Sequence, residues 1–167
     1  FGPLKLAIAR HRLPLPLLSD LLSAFEQDAR QPGYSTRDQL LDYCRRSANP
    51  VGRLMLHLYG ITDAQAQRES DDVCTALQLA NFWQDVAIDY AKGRIYLPQD
   101  EMAAYGVSEA QIGAQCCDDT WRALMAFQIE RTRELMLGGA PLGAALPGRI
   151  GLEIRATLHE LPDLQWP

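Results

Sequence analysis

Residues 76–89 combine a mostly apolar helical pattern with a narrow row of polar side chains. The row consists of Gln78, Asn81, Asp85 and Asp89, spaced three, four and four residues apart. At about 100° per residue these side chains fall within roughly 80° of one helical face, and large apolar residues occupy the rest. Carboxylates are seldom buried without a partner. The row therefore predicts a cationic group opposite it, either a metal ion with an anionic ligand behind it or a cluster of arginines.

A solvated helical face is the competing interpretation of this row. Asp85 and Asp89 could pair with Lys92 or Arg94 about one turn further along the chain, and such exposed pairs contribute little to stability. The amides of Gln78 and Asn81 and the large apolar residues on both sides of the row favour a binding site.

Composition limits the class of protein. The chain has 167 residues, of which 47% are hydrophobic and 22% charged, and a formal net charge of −5. These values are typical of one globular domain, which we place at residues 1–167. No block of lysines and arginines is present, so nucleic acid is not an expected partner. Of the 16 basic residues 14 are arginine, the side chain suited to bidentate recognition of phosphate.

The cysteines and the hydrophobic segments indicate the cellular compartment in which the protein is expected. Cys44, Cys74, Cys116 and Cys117 form no C-x-x-C pair and no Cys/His spacing typical of zinc. We expect reduced thiols and a cytoplasmic protein. The sequence contains no run of 18 apolar residues, so no transmembrane helix is predicted. No signal peptide is seen, but the chain begins at Phe1 rather than Met, which leaves targeting open.

The apolar periodicity is helical nearly throughout and predicts a single all-α domain. Acidic pairs at 71–72 and 118–119 are interpreted as residues at helix starts. Pro50 is expected to interrupt a helix, and Gly93 to end one. Helices are expected at about 4–11, 17–29, 35–58, 69–93, 118–137 and 149–159, with short helices after Pro98 and Ser108.

The segment from Tyr43 to Gly52, Tyr-Cys-Arg-Arg-Ser-Ala-Asn-Pro-Val-Gly, is unusual for a helix. Its small residues and proline allow close approach of a neighbouring helix or a ligand. Arg45, Arg46 and Arg53 near this break could contact a phosphate, although a solvated face is expected for at least one of them.

Together these features resemble the squalene/phytoene synthase family, the head-to-head trans-isoprenyl synthases. The match runs Gln78-x-x-Asn81-x-x-x-Asp85-x-x-x-Asp89 and then Gly93-Arg94-x-Tyr96-x-Pro98, and residues 43–52 are similar to a second family block. The resemblance implies an all-α, isoprenoid-synthase-like helical bundle around a central cavity, in which two Asp-rich helices bind Mg²⁺ ions that grip a diphosphate.

The resemblance also implies roles for individual residues. Asp85, Asp89 and Asn81 are the expected metal ligands. The expected diphosphate contacts are Arg45, Arg53, Gln78, Asn81 and Arg94, and the expected catalytic residues are Arg45, Asp85 and Asp89. Residues 1–40 hold no counterpart of the family's first Asp-rich motif. We therefore expect a partial domain, without the N-terminal helices and the C-terminal end, that carries half of the metal site and is inactive by itself.

One departure from the family pattern indicates a branch. Squalene synthases place a catalytic tyrosine directly after the cysteine of the Tyr-Cys block, where this chain has Arg45. This version, with Asn81-Phe-Trp-Gln-Asp85, resembles the bacterial hydroxysqualene synthase branch of hopanoid biosynthesis. That branch implies ionisation of presqualene diphosphate, rearrangement of the carbocation and capture by water.

Other functions stay open at this point. The chain could belong to a squalene or phytoene synthase that condenses two prenyl diphosphates, such as farnesyl diphosphate, to a non-catalytic family member that acts as an assembly factor, or to a helical interaction module. A prenyl diphosphate is the expected ligand, and sister enzymes of the squalene pathway are the expected protein partners. Because substrate and product are apolar, peripheral membrane contact is also compatible with the sequence.

Overall fold

The computed structural model describes residues 2–146, 148, 151–152 and 154–156. This part of the chain contains ten helices and no named strand, which confirms the predicted all-α class. The predicted helix at 149–159 falls largely on residues outside the described part. The helices are α1 (Gly2–His11), α2 (Leu15–Asp28), α3 (Arg37–Ser47), α4 (Asn49–Leu58), α5 (Ala64–Gln84), α6 (Val86–Ala91), α7 (Gln99–Ala104), α8 (Glu109–Gly113), α9 (Asp119–Gly139) and α10 (Pro141–Ala145).

The long helices α5 and α9 pack against each other and form the centre of the described domain. Leu79 on α5 and Leu124 on α9 are fully buried, and a buried leucine stabilises by roughly 1.5–3 kcal/mol. The helices approach closely at Gly139, where an added Cβ atom would lie 2.6 Å from the Glu69 carbonyl oxygen. A buried hydrogen bond of 2.9 Å, donated by the Trp83 indole to Thr132 Oγ1, ties the same pair together.

Pro50 interrupts the helix in the Tyr43–Gly52 segment, as predicted. Helix α3 ends at Ser47 and α4 begins at Asn49, with the proline in its first turn. Helix α4 then packs on α5 through a buried hydrogen bond of 2.9 Å, which Thr75 Oγ1 donates to Asn49 Oδ1. Gly52 lies in the same contact, since a Cβ atom there would be 2.4 Å from Ser70 Oγ.

The polar row lies on a helix that begins earlier than predicted. Helix α5 starts at Ala64, where the Asp63 carboxylate accepts a hydrogen bond of 2.8 Å from the Ala66 N–H. Glu69 is therefore buried in the helix interior and does not mark a helix start. Asp71 accepts a hydrogen bond of 2.8 Å from Arg53 Nε on α4. The interpretation of residues 71–72 as start residues is wrong, because the helix is capped by Asp63, about two turns upstream.

The caps of the other helices follow the sequence more closely. Asp118 accepts a hydrogen bond from the Trp121 N–H and begins α9, and Ser108 caps α8. Helix α3 is capped by Thr36, whose hydroxyl accepts a hydrogen bond from the Gln39 N–H. Gly93, with φ of +75°, ends α6 as predicted.

Candidate functional site

The polar row crosses a helix break at Asp85. The sequence predicts one continuous helix over 69–93, whereas α5 ends at Gln84 and α6 begins at Val86. The backbone hydrogen bonds nevertheless continue across the break. The Asp85 N–H donates to the Asn81 backbone carbonyl oxygen at 2.9 Å, and the Asp89 N–H donates to the Asp85 backbone carbonyl oxygen at 2.8 Å. Asp89 therefore still follows Asp85 by one helical turn, and the helix break does not separate the residues of the row.

The two aspartates of the row have different surroundings. Asp89 is 14% exposed and forms an ion pair of 3.4 Å with Lys92, the surface pairing that the sequence left open. Asp85 is exposed, and its carboxylate has no hydrogen-bond or ion-pair partner among the described residues. Asn81 is exposed and Gln78 half-buried on the same side of α5. This side of the helix junction thus presents one unpaired carboxylate and the side chains of two amides to solvent.

The donor set of the row suits a hard divalent cation but is small. Carboxylate and amide oxygens are ligands that Mg²⁺ accepts, usually with several waters retained. In the described part of the chain, no group of three or more His, Cys, Asp or Glu residues comes close enough to hold a metal ion. The row therefore fits one side of a magnesium site that needs further ligands from elsewhere, such as a bound diphosphate.

An aromatic cluster joins the two motif segments. The Tyr96 ring, after α6, stacks on Phe82 of α5 with ring centroids 3.7 Å apart and planes at 6°. Tyr43 of α3 lies 6.2 Å from the Phe82 ring and 6.4 Å from the Tyr96 ring. Tyr34 completes the cluster beside Tyr43. Residues 43–53 and 78–98, separated in the sequence, are therefore held together by buried aromatic rings.

Asp28, at the end of α2, lies beside this cluster, and no sequence pattern pointed to it. The Tyr43 hydroxyl donates a hydrogen bond of 2.9 Å to Asp28 Oδ2. Burial, and then this hydrogen bond, raise the pKa of Tyr43 well above its usual range. The pKa of Tyr96 is also raised, first by burial and then by the nearby charge of Asp28, while Arg94 opposes the shift. Both phenols thus stay protonated and can donate hydrogen bonds.

The predicted diphosphate-binding arginines lie at different places. Arg45 is 55% exposed, and its guanidinium forms an ion pair of 2.8 Å with Asp42 and reaches Asp20 at 4.0 Å. Arg53 pairs with Asp71, as described above. Arg94 Nη2 donates a hydrogen bond of 3.3 Å to the Asp28 carbonyl oxygen. The structure brings Arg94 close to Tyr96 beside the polar row, whereas Arg45 and Arg53 already have carboxylate partners.

Arg46 is the most enclosed arginine of this segment. It is 16% exposed and donates hydrogen bonds to Asp42, to Ser23 and to Gln27. These contacts fasten α3 to α2, so we assign Arg46 a structural role.

An exposed apolar residue lies on the same helical face as the polar row. Leu77 precedes Asn81 and Asp85 by four and eight residues and shares their helical face. Large apolar residues are also exposed on α2, at Leu15, Leu22 and Phe25, and on α4, at Val51, Met55 and Leu58. Leu58 is 52% exposed. None of the described helices is long and apolar enough to cross a membrane.

The sequence of the chain is similar to those of curated proteins. The chain is 36% identical over 153 residues to hydroxysqualene synthase from Rhodopseudomonas palustris, a match that covers 90% of this chain and 52% of the relative. It is 34% identical over 139 residues to 15-cis-phytoene synthase from Synechococcus elongatus, which covers 76% of this chain and 45% of the relative. The chain thus spans about half the length of these curated relatives.

A solved structure agrees with these matches. Squalene synthase HpnC from Alicyclobacillus acidocaldarius superimposes with a TM-score of 0.88 at 35% identity, covering 96% of this chain and 63% of that one. The predicted isoprenoid-synthase-like fold is therefore confirmed. The squalene/phytoene synthase family model matches residues 1–161, and the chain belongs to the squalene/phytoene synthase family.

Proposed function

We propose that this chain forms part of a Mg²⁺-dependent enzyme that converts presqualene diphosphate to hydroxysqualene. The observation that carries the proposal is the exposed, unpaired Asp85 carboxylate, one turn from Asp89, on a helix face that also carries the exposed Leu77. An apolar carbon chain and a diphosphate are the two parts of such a substrate. The similarity to a relative named hydroxysqualene synthase supports the choice of this reaction within the family.

The residues of the row have defined tasks in this reaction. Asp85, Asp89 and Asn81 would hold Mg²⁺, with Gln78 beside them, and the metal supplies positive charge that neutralises the departing diphosphate. The bond between carbon and the diphosphate oxygen breaks, the carbocation rearranges, and water adds to it with loss of a proton. Arg94 carries positive charge beside the row, where it would contact the diphosphate.

Arg45 and Arg53 complete the proposed diphosphate site. Arg45 is exposed enough to exchange its contacts with Asp42 and Asp20 for a diphosphate. Two nitrogen atoms of the Arg53 guanidinium already donate hydrogen bonds to the Asp71 carboxylate. Arg53 would contribute to the diphosphate site from its position on α4. If Arg45→Tyr in the complete enzyme left both turnover and product unchanged, the role of Arg45 would be refuted.

A squalene or phytoene synthase activity is the second candidate. It is favoured by the phytoene synthase relative and by the solved squalene synthase, both at identities close to that of the hydroxysqualene synthase. In this case the same metal and arginine residues would bind two prenyl diphosphates for condensation. A non-catalytic assembly factor is a weaker candidate, because both Asp85 and Asp89 are present.

The test uses the protein produced from its full coding sequence, incubated with presqualene diphosphate and Mg²⁺, with the product identified by mass spectrometry. We expect hydroxysqualene from the unaltered protein and loss of turnover in Asp85→Ala. The matched control is Asp119→Ala, which removes a fully exposed carboxylate at the start of α9 and should leave turnover unchanged.

Other results would redirect the assignment. Squalene or phytoene formed from farnesyl or geranylgeranyl diphosphate, without turnover of presqualene diphosphate, would establish the second candidate. A folded protein that turns over neither type of substrate and does not bind diphosphate in a Mg²⁺-dependent manner would refute an enzymatic role.

A further inference from the structure

Asp28, the last residue of α2, contacts both motif segments. Its carboxylate accepts a hydrogen bond of 2.9 Å from the Tyr43 hydroxyl of α3. Its backbone carbonyl oxygen accepts a hydrogen bond of 3.3 Å from Arg94 Nη2, in the link after α6. Carbonyl groups in the last turn of a helix lack partners within the helix and carry partial negative charge, so the end of α2 favours a cation. Arg94 is the cation that the fold places there.

The backbone around Arg94 is fixed next to the polar row. The Arg94 N–H donates a hydrogen bond of 2.9 Å to the Asp89 carbonyl oxygen. The following N–H, of Ile95, donates one of 2.8 Å to the carbonyl oxygen of Pro32, in the loop after α2. These bonds place the start of the Arg94 side chain beside Asp89 without any contribution from the Asp28 carboxylate. The side chain itself has several rotatable bonds, so its direction depends on what the guanidinium contacts.

The Asp28 carboxylate supplies negative charge close to the Arg94 guanidinium. The pKa of Arg94 is raised by Tyr96 and further by Asp28, whereas burial opposes the shift. Burial raises the pKa values of Tyr96 and Tyr43, so both phenols are neutral near neutral pH and Asp28 provides the charge. Arg94 forms no ion pair within the part of the chain that the structure describes, so its guanidinium keeps N–H donors for another anion.

We infer that Asp28 is a positioning residue, whose carboxylate holds the Arg94 guanidinium at the end of α2 for an anionic ligand of the polar row. The inference rests on the proposed function, which assigns Arg94 to a diphosphate bound with Mg²⁺. An arginine that is already held loses less conformational entropy when it binds an anion than a free one does. Arg94 should therefore contribute more to diphosphate binding with Asp28 than without it. Because Asp28 also repels a diphosphate directly, the test must separate these two effects.

A double-mutant cycle on the full-length protein separates them. The probe is inorganic pyrophosphate with Mg²⁺, and calorimetry gives its dissociation constant for the unaltered protein, Asp28→Asn, Arg94→Ala and the double variant. The Asp28→Asn change removes the charge but keeps an oxygen that can accept the Tyr43 hydrogen bond. Direct repulsion by Asp28 is the same with and without Arg94, so it cancels in the cycle. Circular dichroism checks that each variant is folded.

Arg94→Ala is expected to weaken pyrophosphate binding by about tenfold or more when Asp28 is present, the value of a hydrogen bond to a charged group. In the Asp28→Asn background the same change should have an effect smaller by about threefold or more. Asp28→Glu is a milder second variant that keeps the charge, and it should reduce the effect of Arg94→Ala less than Asp28→Asn does. Glu26→Gln is the matched control, since it removes an exposed carboxylate from the same helix, and it should leave the effect of Arg94→Ala unchanged.

Equal effects of Arg94→Ala in the presence and absence of the Asp28 carboxylate would overturn the inference, because a purely structural role of Asp28 predicts that the two changes are additive. No effect of Arg94→Ala in either background would also overturn it. If pyrophosphate still bound in a Mg²⁺-dependent manner that Asp85→Ala abolished, the proposed function would survive either result. A folded, unaltered protein that did not bind pyrophosphate with Mg²⁺ would refute both.

Discussion

Gly52 is expected to be indispensable for the contact between α4 and α5. A Cβ atom at this position would lie 2.4 Å from Ser70 Oγ and 2.6 Å from Cys74 Sγ, well inside van der Waals contact. Overpacking of this kind costs about 1–3 kcal/mol. Alanine is favoured over glycine in a helix by roughly 1 kcal/mol, so the net destabilisation by Gly52→Ala is expected to be up to about 2 kcal/mol.

Gly52→Ala is expected to stabilise the protein when Ser70 Oγ and Cys74 Sγ have been removed. In a Ser70→Ala/Cys74→Ala background the nearest remaining atom is Ser70 Cβ at 3.7 Å, an ordinary contact. Gly52→Ala should then stabilise by up to about 1 kcal/mol through helix propensity. The gain in helix propensity is the same in both backgrounds and cancels, so the coupling energy between the two sets of changes is expected to equal the overpacking cost of about 1–3 kcal/mol.

Thermal unfolding of the full-length protein, followed by circular dichroism, measures this coupling, since 1 kcal/mol corresponds to roughly 2–4 °C for a protein of 150–250 residues. Four proteins are compared: the unaltered chain, Gly52→Ala, the Ser70→Ala/Cys74→Ala background, and the triple variant. Equal effects of Gly52→Ala in the two backgrounds would refute the reasoning from steric overlap.

Two further predictions concern buried polar and thiol groups. Thr132→Val removes the acceptor of the Trp83 indole N–H and should destabilise by about 1–3 kcal/mol, measured by thermal unfolding; a second change, Trp83→Phe, should recover part of this loss, and no recovery would contradict the assignment. Burial raises the pKa of Cys44 to about 12, so the Cys44 thiol stays protonated when the pH rises from 8 to 10, and its reaction with iodoacetamide should remain slow. The exposed Cys116 and Cys117 should react first at both pH values, and peptide mapping that finds Cys44 alkylated as fast as these two would contradict the burial argument.

Several features of the fold were predictable because they depend on local chemistry. Pro50 lacks the N–H that a continuous helix requires, and α3 ends just before it. Gly93 adopts a positive φ that favours glycine, and α6 ends there. The spacing of the row from Gln78 to Asp89 places its side chains on one face through helical periodicity alone.

The start of α5 shows where sequence patterns fail. Acidic residues stabilise a helix start, and both Asp63 and the cluster at 69–72 satisfy that rule. The helix begins at the Asp63 cap, and the cluster lies inside it, where Asp71 accepts a hydrogen bond from Arg53 of α4. Residue type alone did not distinguish the two candidate starts.

The candidate site, like the fold, was predictable from the sequence only in part. The sequence by itself determined the family and the polar row with Asp85 and Asp89, since these rest on residue type and spacing. Only the tertiary structure decided which charges are paired and that Asp28 and the stacked Tyr96 and Phe82 join the two motif segments. Such contacts form between residues far apart in the chain, where helical periodicity carries no information about which surfaces meet.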